Sequence, residues 1–112
     1  MNDIYKVKLT YYAIEQMQDI VSYISTSLLS PEIARGWADF LKGQIARLDF
    51  QPHRFRLVEE EPWHSEGLHM MVVRNFNVYY WIDESAMTVW VSGIIYGRQD
   101  QMAALRRMPL EK

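Results

Sequence analysis

Apolar and polar positions alternate strictly along Tyr5-Lys6-Val7-Lys8-Leu9-Thr10. Tyr5, Val7 and Leu9 face one way, and Lys6 and Lys8 the other. A period of two predicts a half-buried strand. The period then lengthens. Ile14, Met17, Val21, Ile24 and Leu28 recur at steps of three and four, the spacing of one helical stripe, and Thr10 stands where it can cap the helix. Ser30-Pro31-Glu32 opens a second helix: Ser30 caps, Pro31 needs no donor at the first helical position, and Glu32 meets the positive helix end. Ala34, Trp37, Leu41, Ile45 and Leu48 form its stripe, with Ile33 and Phe40 beside it, and Pro52 ends it. The two helices, joined around Leu29, read as an antiparallel hairpin with Trp37 as a core anchor between helices and sheet.

Three short runs rich in Val, Ile, Tyr, Trp and Met occupy Gly67 to Tyr96. They are separated at Asn75 to Asn77 and at Asp83 to Ala86, where Asn, Asp and Ser favour turns. The β-branched and aromatic side chains suit a pleated sheet, so three antiparallel strands in a meander are expected. Asp100 can cap a short last helix. Met102, Leu105 and Met108 would face the body, Arg106 and Arg107 the solvent, and Pro109 would stop it. His53 to Gly67 is the least regular stretch and reads as a long loop, with an extended piece at Phe55 to Val58.

This order, β-α-α-β-β-β plus a short C-terminal helix, predicts an α+β fold. The helical hairpin packs on one face of a mostly antiparallel sheet. The other sheet face is expected to be exposed, polar and free for docking. The chain's 112 residues suit one domain, 1–112. A net charge of -2 gives no global basic signal for nucleic acid. Without cysteine there is no disulfide or thiol chemistry. No run nears the ~20 apolar residues that span a membrane, and the N-terminus lacks a signal-peptide pattern, so a cytoplasmic protein is expected.

The sequence contains no P-loop and no dinucleotide-binding glycine pattern, so no cofactor is expected. His53, His64 and His69 lack ligand-like spacing, so no metal is expected either. Glu59-Glu60-Glu61 reads as a solvated charge run. One constellation remains. Arg54 and Arg56 lie in the loop, His69 and Arg74 on the first meander strand, and Tyr96 and Arg98 at the end of the last. The outer strands of a meander run parallel, which brings Arg74 towards Arg98. Arginine pairs bidentately with phosphate or carboxylate, and tyrosine stacks on bases or moves a proton. The alternative is unrelated surface arginines balanced by glutamates.

Taken together, these segments resemble the RelE/ParE toxins of bacterial type II toxin–antitoxin modules. The resemblance rests on Tyr5 to Thr10, Leu48-Asp49-Phe50-Gln51-Pro52, Gly67 to Phe76, Val78 to Asp83, and most of all Ile94-Ile95-Tyr96-Gly97-Arg98-Gln99-Asp100. It implies a growth-inhibiting toxin neutralised by an antitoxin that wraps it, in a complex larger than a heterodimer. RelE-like members cleave mRNA on the ribosome, and ParE-like members inhibit DNA gyrase. On the RelE-like reading His69, Arg74, Tyr96 and Arg98 would be catalytic. His69, however, stands where many relatives have Arg. Gln99 replaces a second basic residue, and Gln101 stands where Trp is frequent. These departures remove positive charge from the presumed active face. The reading preferred is ParE-like inhibition by binding. A RelE-like endoribonuclease and a degenerate, non-toxic antitoxin-binding module are the alternatives.

Overall fold

A computed structural model describes residues 4–27 and 30–109. The expected end of the first stripe at Leu28 and the link at Leu29 lie outside these residues. Strand β1 (Lys6–Leu9) is followed by helices α1 (Tyr11–Ser27) and α2 (Pro31–Ala46). A short helix α3 (Trp63–Glu66) precedes β2 (His69–Val73), β3 (Phe76–Asp83) and β4 (Thr88–Tyr96), and α4 (Gln101–Arg107) closes the order. The sheet order is β1-β4-β3-β2. The meander is antiparallel, and β1 joins β4 in parallel. The expected α+β fold is therefore the observed one.

The caps read from the sequence are in place. Thr10 Oγ1 accepts from the Ala13 amide at 3.2 Å, Ser30 Oγ from Ile33 at 3.3 Å, and Asp100 Oδ1 from Ala103 at 3.1 Å. Each takes up a backbone donor that the first helical turn leaves without a partner. The α1 stripe is rotated from the expected one. Ala13 and Met17 are buried and Ile20 packs on the core, whereas Ile14 is exposed. The sheet covers the Ala13 side because Gln16 must reach β4. Gln16 Oε1 accepts from the Ile94 amide at 2.7 Å, just past the bulge where Ser92 falls out of register with β3. A bulge leaves ladder groups unpaired, and a buried amide needs an acceptor.

Trp37 is only partly buried and packs edge-on to Phe76, 4.8 Å between ring centroids. It is a flank of the core and not its anchor; Leu41, Ile45 and Leu48 occupy the centre. The first turn is also shorter than expected. Val73 pairs directly with Phe76, so Phe76 and Asn77 belong to β3, and Arg74 leaves the strand for a two-residue turn with φ 53°.

The larger correction concerns the second sheet face. It is not exposed. Tyr79, Trp81 and Ile95 are buried there beneath Val58, Trp63, Leu68, Ala104, Leu105 and Met108. The stretch His53 to Gly67, read as an irregular loop, supplies Val58 and Trp63 to this cover. A 3-10 turn at Pro52–Arg54 leads into it, Leu57 bridges to His69, and α3 buries Trp63 and ends on Gly67 at φ 84°. The physical reason lies in β3 itself. Val78, Tyr79, Tyr80 and Trp81 are all buried, so the strand is apolar on both faces and each face needs a cover.

Candidate functional site

The six residues picked out for chemistry divide among four places. Arg74, Tyr96 and Arg98 all lie at the hairpin end of the sheet. There the Gly97 amide donates to Asn75 O at 2.7 Å, which binds the turn to the end of β4. A Cβ on Gly97 would lie 3.1 Å from that carbonyl, which favours glycine in this close approach. The Arg74 guanidinium sits 4.0 Å above the Phe40 ring, and Tyr96 packs on Phe76 at 5.4 Å. Arg98 is exposed beyond the strand.

His69 is elsewhere. It pairs with Tyr80, whereas Tyr96 pairs with Phe76, four residues along β3. At about 3.3 Å per residue the two rows are roughly 13 Å apart. The His69 imidazole stacks on Tyr80 at 5.2 Å and 11°, and its Nδ1 lies 2.8 Å from Phe55 O. A carbonyl only accepts, so Nδ1 carries the proton. Burial lowers the His69 pKa against the raising effect of that bond, and neighbouring His53 lowers it further. Tyr80 donates to Pro52 O at 2.6 Å, and burial holds its phenol well above the ordinary range. Beside them His53 pairs with Glu84, and Tyr5 donates to the same carboxylate at 3.0 Å.

Arg54 does not join an anion site. Its guanidinium donates to the carbonyls of Phe50, Gln51 and Arg47, which closes off the end of the α2 segment. Arg56 faces Glu59 at 3.7 Å on the surface.

Sequence reading missed a cleft of about 340 Å³ between the second sheet face, the Arg56 to Glu60 segment and α4. Its floor is a closed network. Asn77 Nδ2 and the Tyr79 hydroxyl both donate to Gln101 Oε1, at 3.1 and 2.8 Å. Gln101 Nε2 in turn donates to Tyr96 O and Gln99 O, at 2.8 and 3.0 Å. Burial raises the Tyr79 pKa, so the phenol stays protonated at neutral pH. Gln101 and Tyr79 thus give their donors to the protein, and the charged side chains around the cleft are Arg56 against Glu59, Glu60 and Asp100. Such a surface presents acceptors and negative charge. The signal in the sequence was the side-chain alternation of Asn77 and Tyr79 along β3, which puts both on one face.

No group of three or more His, Asp or Glu among the described residues is placed to hold a metal ion. No helix of the described residues is long and apolar enough to cross a membrane.

No protein-family model matches the chain, and no curated protein matches it by sequence. Its structure does match. The chromosomal ParDE toxin–antitoxin system of Pseudomonas aeruginosa contains a chain that superposes with a TM-score of 0.69 at 15% identity, over 84% of this chain and 97% of that one. The fold is that of the RelE/ParE toxins. A chain of the RelBE2 toxin–antitoxin complex of Mycobacterium tuberculosis superposes at 0.59 with 18% identity, over 83% of this chain and 91% of that one. A free-state double arginine-to-alanine mutant of Escherichia coli toxin RelE also gives 0.59, at 11% identity, over 93% of this chain and 97% of that one. The RelE/ParE fold thus accounts for the helical hairpin, the four-stranded sheet and the order in which the chain visits them.

Proposed function

We propose that this protein is the toxin of a toxin–antitoxin module and that it acts by binding a target such as DNA gyrase, not by cutting mRNA on the ribosome. The fold supports the toxin reading, since two of the structures it resembles are toxin–antitoxin complexes. One observation favours binding over cleavage. Of the four residues a nuclease would need, His69 stands apart from Arg74, Tyr96 and Arg98, and the cleft carries net negative charge. His69 lies at the opposite end of the strand row from Tyr96 and Arg98. Phosphate contacts dominate affinity for RNA, and Glu59, Glu60 and Asp100 oppose them. A nuclease also needs cations fixed around the phosphate where charge builds.

The test is induction in cells without the neutralising partner. Transcript ends are mapped, and gyrase supercoiling is assayed in parallel. Growth arrest with intact transcripts and inhibited supercoiling is the expected outcome. Codon-phased cleavage that disappears in Arg98→Ala would overturn the proposal, because exposed Arg98 supports no packing and its loss would report on chemistry alone.

A further inference from the structure

Strand β1 ends at Leu9, beside Val91, while β4 runs on to Tyr96. The last part of β4 therefore has no strand on its outer side. Two helices pass there on opposite faces of the sheet. Ala13 and Met17 of α1 pack in one core with Ile94, and Ala104 and Leu105 of α4 pack in the other with Ile95. Between the helices lies a groove of about 300 Å³. Glu15, Gln16 and Asp19 line it from α1, Ile94 and Tyr96 from β4, and Arg107 from α4.

The polar groups of this groove have bonds left to make. The Ile94 amide donates outward to Gln16 Oε1 at 2.7 Å. Outward groups recur at every second residue of an antiparallel strand, so the Ile94 carbonyl and the Tyr96 amide face outward too. The Gly97 amide donates inward to Asn75 O, in the same phase. An amide N–H needs an acceptor, so Gln16 presents Oε1 to it and keeps Nε2 as a donor. No acceptor meets that Nε2 among the described residues.

The charges around the groove have both signs and stand on different walls. Glu15 and Asp19 are four residues apart on α1, and so on one side of the helix. Arg107 comes from α4. All three are exposed, and among the described residues none of them forms an ion pair. Tyr12 and Ile20 add apolar surface. A ligand that fits this place carries a cation and an anion close together on an apolar body. An α-amino acid is such a molecule.

We propose that the groove binds a free α-amino acid with an apolar side chain. Its ammonium group donates to Glu15, Asp19 and the Ile94 carbonyl. Its carboxylate accepts from Arg107, Gln16 Nε2 and the Tyr96 amide. Its side chain rests on Tyr12 and Ile20. Charge-assisted bonds hold both ends, and the need for both charges supplies the selectivity. The site does not depend on the toxin reading above.

Four probes test it on the full chain. L-leucine and L-phenylalanine carry both charges. Isoamylamine is leucine without its carboxylate, and isocaproate is leucine without its ammonium. Nuclear magnetic resonance reads the backbone amides of Ile94 and Tyr96 and the side-chain amide of Gln16. At least one of the two amino acids should shift all three signals saturably at millimolar concentration. It should bind roughly tenfold or more tightly than either isoamylamine or isocaproate, since a hydrogen bond to a charged group is lost in each. Arg107→Ala, and the double variant Glu15→Gln with Asp19→Asn, should each weaken the amino acid by a similar factor of roughly ten. These side chains are exposed, so the variants should keep the wild-type spectrum elsewhere. No saturable shift from either amino acid would overturn the proposal. So would isoamylamine or isocaproate binding as tightly as the amino acids, or either variant binding undiminished. Shifts that leave Tyr96 and Gln16 unmoved would reduce the site to surface charge and overturn it as well.

Discussion

The His69 imidazole lies flat on the Tyr80 ring, with 5.2 Å between centroids and 11° between planes. The stack joins the first residue of β2 to a buried phenol that is bonded to Pro52 O. It makes His69 part of the packing, and it makes the protein sensitive to acid.

That sensitivity has a definite sign. His69 has a lowered pKa in the folded protein, chiefly through burial. In the unfolded chain it returns to about 6.5. As pH falls below that value the unfolded state takes up the proton first, so stability drops with acidification. Above it, both states are neutral there and His69 adds no slope. Denaturant unfolding between pH 7.5 and 5 should show a steeper loss for the wild type than for His69→Gln. Equal slopes would remove His69 from the acid response.

The buried indole and the half-buried one should separate in unfolding experiments. Trp81 is 2% exposed within the second core. Trp81→Ala should cost about 3–5 kcal/mol, the range for a large side chain removed from a core. Trp37→Ala should cost less than Trp81→Ala, because Trp37 keeps one side open to solvent. The reverse order in chemical denaturation would show that the helix side carries the fold.

Gln101 links Asn77, Tyr79 and the backbone at Tyr96 and Gln99. Gln101→Ala leaves the Tyr79 hydroxyl without its acceptor in a largely buried place, at a cost of about 1–3 kcal/mol. The double variant with Tyr79→Phe should lose less than the sum of the two single changes, since both act on one network. Strict additivity in a thermodynamic cycle would count against the network.

Gly93 lets α4 approach the sheet. A Cβ there would lie 2.9 Å from the Met108 sulfur. Gly93→Ala should push the flexible Met108 chain aside and loosen α4, with a global loss near the low end of the 1–3 kcal/mol typical of overpacking. Hydrogen exchange should quicken across Gln101 to Met108 and stay unchanged in β3. Unchanged protection in α4 would show that Met108 repacks without strain.

The order of the elements other than α3, their caps and the meander could be read along the chain. Thr10, Ser30 and Asp100 act on amides three residues away, and such local bonds leave their mark in local sequence. Alternation also placed Lys6 and Lys8 correctly on the solvent side of β1. The burial of both sheet faces was harder to see. Val78-Tyr79-Tyr80-Trp81 is apolar without a break, and it becomes a two-faced strand only when Trp63 and Leu105, distant in sequence, close over it. The site reading divided in the same way. The segments that carry Arg74 and Arg98 are joined, because the Gly97 amide at the end of β4 bonds Asn75 O in the turn. Arg54 turned inward to carbonyls that exist only where α2 ends, and His69 was drawn to the helix side by Tyr80 and Phe55. Local sequence thus determined which segments became helix, strand and turn, since period and capping act within a few residues. The tertiary structure decided which distant polar groups met, because the bonds from Asn77 and Tyr79 to Gln101, and from His69 to Phe55, join residues that only the packed sheet brings together.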